Sequence, residues 1–103
     1  MKGERLVKVN ELIAHALAER LGEVAPARGI MTVTGVETSP DLRQAKVWVS
    51  LLGGATEEDL EEVKSELRRV MGGLKLKYIP KLEFRIDTGL SHADRIERIF
   101  REL

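Results

Sequence analysis

The sequence contains no cysteine, which excludes disulfides, thiolate nucleophiles and cysteine-ligated metals and suits a reducing compartment such as the cytoplasm. Aromatic residues are almost as scarce: two phenylalanines, one tyrosine and one tryptophan in 103 residues. No run approaches the ~18 apolar residues of a membrane span. The opening MKGERLVKVNELIAH threads charges through its apolar positions, unlike the apolar region of a signal peptide. Excess charge is missing too. Seventeen Lys and Arg balance seventeen Asp and Glu, so any grip on nucleic acid, which rests on neutralising phosphates, must come from a local patch. No internal repeat or linker divides the chain, and residues 1–103 read as one small domain with a modest core.

The organising stretch is Ile30 to Leu52, two strands joined by a turn. Met31 and Val33 alternate with Thr32 and Thr34, the period-2 pattern of a half-buried strand. Gly35 breaks that phase, as a bulge would, and Ser39-Pro40-Asp41 supplies the turn. Ala45, Val47, Val49 and Leu51 then share one face, with Lys46, Trp48 and Ser50 on the other. A hairpin alone is marginal in water, so its apolar face needs helices.

Two flanking segments offer them. From about Glu4 to Leu21, apolar residues recur at three- and four-residue steps through Leu6, Val9, Ile13, Ala16 and Leu17, with Gly22 placed to end the helix. Thr56 and Asp59 form a capping-box pattern ahead of Leu60, Val63, Leu67 and Val70 or Met71. Acids crowd that helix's first turns and Arg68 and Arg69 its last, complementing the helix dipole. From Leu74 to Asp87 the even positions are apolar or proline, which predicts a third strand, with Pro80 forcing an edge position or a break. Ser91 is placed to cap a final helix with an apolar stripe of Ile96, Ile99, Phe100 and Leu103. The expected fold is therefore α+β and two-layer: helix-strand-strand-helix-strand plus a C-terminal helix, around a three-stranded sheet with a parallel crossover from the second strand to the third.

Gly35-Val36-Glu37, Ser39-Pro40-Asp41-Leu42 and Ala45-Lys46-Val47 resemble the hairpin motif of the ribosome-binding factor A family. Leu74 to Pro80, then Leu82, Phe84, Asp87, Leu90 and the Arg95-Ile96 pair, extend the resemblance over nearly the whole chain. It implies a bacterial-type KH-like fold and a non-enzymatic role. Members of the family bind the small (30S) ribosomal subunit and its immature 16S rRNA during late assembly, assist 5′-end processing, and matter most for growth in the cold. The chain departs from the pattern at the clamp between the paired helices. KH domains clamp backbone with a Gly-x-x-Gly loop, which is absent here, and the family's Ala-x-Gly kink would fall on Val63-Lys64-Ser65. Because Leu60, Val63, Leu67 and Val70 hold one phase across that point, a single helix is expected.

The candidate RNA-binding residues are Arg68, Arg69, Lys75, Lys77, Lys46, Arg5, Lys8, Arg28 and Arg43. On a strand, Lys75, Lys77, Lys81 and Arg85 would share one face, on which every second residue lies roughly 6.6 Å from the next, close to the spacing of phosphates. The same alternation is what any solvated strand face shows. Trp48 could stack on a base or pack under the last helix. Ser91, His92 and Asp94 are too close in sequence for triad geometry, and His15 and His92 lack the companions of a metal site. No catalytic residue, cofactor or metal is expected. The expected partners are the small subunit and its rRNA precursor, not a membrane, and the free chain is expected to be a monomer. A protein-interaction module on the same scaffold is the alternative, given the zero net charge.

Overall fold

The computed structural model describes residues 2–24 and 28–89. Helix α1 (Lys2–Glu23) precedes strands β1 (Ile30–Thr38) and β2 (Gln44–Leu52), helix α2 (Glu57–Met71) and strand β3 (Lys81–Ile86). The sheet order is β1-β2-β3, with β2 antiparallel to β1 and parallel to β3. This is the expected two-layer α+β arrangement, a KH-like fold in which one helix stands where a kinked pair would be. The expected helix over 91–103 lies outside the described residues.

The core forms where the apolar stripes of the two helices meet the sheet. Ile13, Leu17 and Leu21 of α1 and Leu60, Val63, Leu67 and Met71 of α2 are buried against Ala45, Val47 and Val49 of β2. Leu82 of β3 and Met31 and Val36 of β1 complete it. The N-terminus of α2 carries the expected reciprocal cap: Thr56 Oγ1 accepts from the Asp59 amide at 3.2 Å, and Asp59 Oδ2 accepts from the Thr56 amide at 2.8 Å. Its fifteen residues run unbroken through Val63-Lys64-Ser65. Gly35 marks a bulge, as its break of phase predicts: the β1–β2 register shifts between Val33 and Gly35.

Two boundaries differ from the sequence reading. Gly22 does not end α1, because the helix continues to Glu23 and closes with the Val24 amide donating to the Arg20 carbonyl. The third strand begins at Lys81, not Leu74. Its partner β2 starts at Gln44, opposite Lys81, so residues before Lys81 have no strand beside them to pair with. Pro80, which has no amide to donate, sits buried just ahead of the first paired residue. Leu74 and Leu76 pack on the core from an irregular segment. The even-odd alternation there reflects two anchored leucines, not a sheet.

Candidate nucleic-acid interface

The β1–β2 turn is held by its own side chains. Asp41 Oδ1 accepts from Ser39 Oγ at 2.6 Å and from the Arg43 amide at 3.1 Å. These bonds, the one from Ser39 foremost, keep the Asp41 carboxyl below its usual range. Leu42 adopts a φ of 62°, the left-handed region that costs a bulky side chain on the order of 1 kcal/mol. The turn is tied to the start of β3 by the Lys81 amide, which donates to the Arg43 carbonyl at 2.8 Å.

Chain direction brings several cations to this end of the molecule. Because α1 lies along β1 and the Thr38 amide donates to Asn10 Oδ1 at 2.8 Å, the first turns of α1 stand beside the β1–β2 turn. Helix α2 returns from the far end of β2, so its last turn and the segment after it arrive here as well. One hollow of about 210 Å³ has Arg5, Lys75, Lys77, Leu42 and Tyr78 in its wall. A second, of about 650 Å³, is bounded by Arg43, Lys77, Asp41, Leu42, Tyr78 and Ile79. Lys8 is exposed one turn along α1 from Arg5. A groove of about 530 Å³ between α2 and β3 adds Lys64, Arg68 and Lys81 around Phe84. There Lys64 pairs with Glu61 and stands 5.7 Å from the centroid of the Phe84 ring, and Arg68 lies over the same ring at 5.3 Å.

The other candidates go elsewhere. Lys75 and Lys77 are exposed on the irregular segment, so they do not continue a stripe with Lys81 and Arg85 on the sheet. Arg69 is exposed, and its guanidinium lies 3.2 Å from Glu66, which also receives Arg20 at 2.8 Å. The hydrogen bond from Arg20 and the charge of Arg69 hold the Glu66 carboxyl below its usual range. Lys46 lies on the sheet face turned away from the helices, opposite Glu37 on one side and Glu83 on the other. Arg85, on the same face, pairs with Glu83. Among the described residues, that face sets Lys46 and Arg85 against Glu37 and Glu83. Trp48 shares it and is only 9% exposed, so the indole is packed and not displayed. Arg28 is exposed near Gly54, at the opposite end of the sheet.

Sequence reasoning left Lys64 and Tyr78 out of the candidate set. The signal for Tyr78 was Pro80, which stops the strand that would have turned the ring inward. Lys64 gave none, because its proximity to Phe84 depends on how α2 crosses β3. Among the described residues no cluster of three or more His, Asp or Glu could hold a metal ion. None of their helices is long and apolar enough to cross a membrane.

The profile of a family described as ribosome-binding factor A matches residues 5–100. A relative from Citrifermentans bemidjiense, named ribosome-binding factor A, is 35% identical over 108 residues, covering 97% of this chain and 91% of that protein. The solution structure of a Thermotoga maritima protein described as a putative ribosome binding factor A superposes with a TM-score of 0.66 at 31% identity, over 82% of this chain and 89% of that one. The crystal structure of ribosome-binding factor A from Thermus thermophilus shares the fold, with a TM-score of 0.64 at 23% identity over 79% of this chain and 94% of that one.

Proposed function

That the chain belongs to the ribosome-binding factor A family is the premise from which we propose that it is a ribosome assembly factor, docking on the small (30S) subunit through the cationic end around the β1–β2 turn. The observation that carries this reading is the convergence of Arg5, Arg43, Lys75 and Lys77 on two adjoining hollows, with Asp41 the one carboxylate among the described residues of their walls. Most of the acids of α2 sit in its first turns, at the other end of the helix. A neutral chain is thereby polarised, and polarisation orients its approach to a polyanion.

The partner in this reading is the immature 16S rRNA within the precursor subunit. The chain acts by binding, without catalysis or cofactor: phosphate contacts hold one conformer of the precursor while its 5′ end is processed, a task that matters most in the cold. It works in the cytoplasm and is monomeric until it docks. Arg68 and Lys81 extend the contact along the α2–β3 groove, and Lys8 along α1. Lys46, Arg28 and Arg69 stand outside the footprint, the first facing acids on both sides and the last drawn to Glu66.

Co-sedimentation with precursor and mature small subunits tests it. The wild-type chain should pellet preferentially with precursors at low salt, and a Lys75→Glu, Lys77→Glu double variant should remain in the supernatant. Equal pelleting of the two chains would remove the cationic end from the account. Binding that survives high salt and RNase treatment would favour the protein-interaction alternative.

A further inference from the structure

Tyr78 is the one tyrosine of the chain, and it is 58% exposed, with Ile79 beside it at 53%. Its ring lines both cation-bearing hollows at the turn end. The Lys77 ammonium stands 5.6 Å from the ring centroid, and Leu42, in its left-handed conformation, borders the same two spaces. We propose that Tyr78 is a stacking platform for one unpaired nucleobase of the ribosomal RNA. This rests on the docking reading above and sharpens it: the turn end recognises single-stranded RNA, not only the phosphates of a folded surface.

Three observations support that occupant over others. The ring is displayed and not packed, while the other large aromatic, Trp48, is buried. The Lys77 ammonium stands over one face of the ring, while Arg5, Lys75 and Arg43 line the adjoining hollows, so phosphates flanking a base stacked on the other face would meet positive groups. Base–aromatic stacking in such a groove is tolerant of sequence and strengthened by nearby cations. Asp41 faces the larger hollow with its Oδ1 engaged in the turn. An anion there repels phosphate and favours the amino edge of a base, which places the base, not the backbone, against the ring.

The experiment uses the full chain and a short single-stranded RNA carrying one fluorescent adenine analogue, with the same strand annealed to its complement as control. Tyr78→Ala should lower affinity for the single strand by about 5- to 100-fold, abolish quenching of the analogue, and leave both duplex affinity and the salt slope unchanged, since no cation is lost. Tyr78→Phe should restore affinity and quenching, and thermal melting should confirm that both variants fold. If Tyr78→Ala binds and quenches like wild type while the salt slope stays steep, stacking is wrong and the docking reading stands. If no RNA binds even at low salt, both fail. If the substitution spares RNA but releases the chain from RNase-treated subunits, the exposed ring serves a protein contact and the proposal is overturned.

Discussion

The guanidinium of Arg68 rests over the ring of Phe84, 5.3 Å from its centroid. This contact joins the last turn of α2 to the edge strand β3, and it sets the direction in which the charge is presented. Arg69, one residue on, turns toward Glu66. Two adjacent arginines thus have different tasks, one in the groove and one at the helix–helix contact.

Arg68→Ala should therefore weaken RNA binding and flatten the log K against log salt slope by about one unit, whereas Arg69→Ala should change the slope little. Phe84→Leu keeps an apolar group against the core but removes the ring, and should cost about 1 kcal/mol of stability. Salt titrations of binding and urea melts read the two effects separately.

Glycines 22 and 29 predict opposite outcomes for the same substitution. Gly22 is exposed in helical backbone, and a Cβ there meets nothing within 4 Å, so Gly22→Ala should stabilise by about 0.5–1 kcal/mol. Gly29 has a φ of 79°, and a Cβ there would lie 2.3 Å from the Leu52 carbonyl oxygen and 2.4 Å from the Ala55 amide nitrogen. Both obstacles are backbone atoms. Gly29→Ala should cost at least about 2 kcal/mol, which chemical denaturation would register as a lower midpoint.

The Glu66 carboxyl titrates below its unfolded value, held first by the hydrogen bond from Arg20 and then by the charge of Arg69. A depressed carboxyl pKa stabilises the fold above the unfolded value of about 4.3, and that contribution is lost as pH falls through the folded value. The difference in melting temperature between wild type and Glu66→Gln should be present at neutral pH and close in acid. A difference that persists unchanged at low pH would mean that the side chain acts through packing alone.

Much of the fold was legible because local signals agreed. The Thr56–Asp59 cap and the single phase of Leu60, Val63 and Leu67 both pointed to one unbroken α2, and Gly35 marked the bulge. The segment from Leu74 to Pro80 misled because alternation is not unique to strands: Leu74 and Leu76 fix an irregular chain to the core and leave Lys75 and Lys77 outside. The site was harder to read for a related reason. Whether a cation is available depends on its neighbours across the fold, and neither the capture of Arg69 by Glu66 nor the position of Lys46 between Glu37 and Glu83 follows from local spacing. Tyr78 read as a core-facing strand residue until the strand proved to begin three residues later.

The measurement that bears most directly on the central claim is the salt dependence of binding to precursor small subunits. With about four to six phosphates neutralised, wild type should give a slope of roughly −3 to −5 in log K against log salt. Replacing Arg43, Lys75 and Lys77 with Gln should reduce its magnitude by about 2–3 units, and replacing Lys46 and Arg28 should leave it as it is. Equal slopes for the two variants, or a shallow slope for wild type, would contradict the assignment of RNA docking to the turn end.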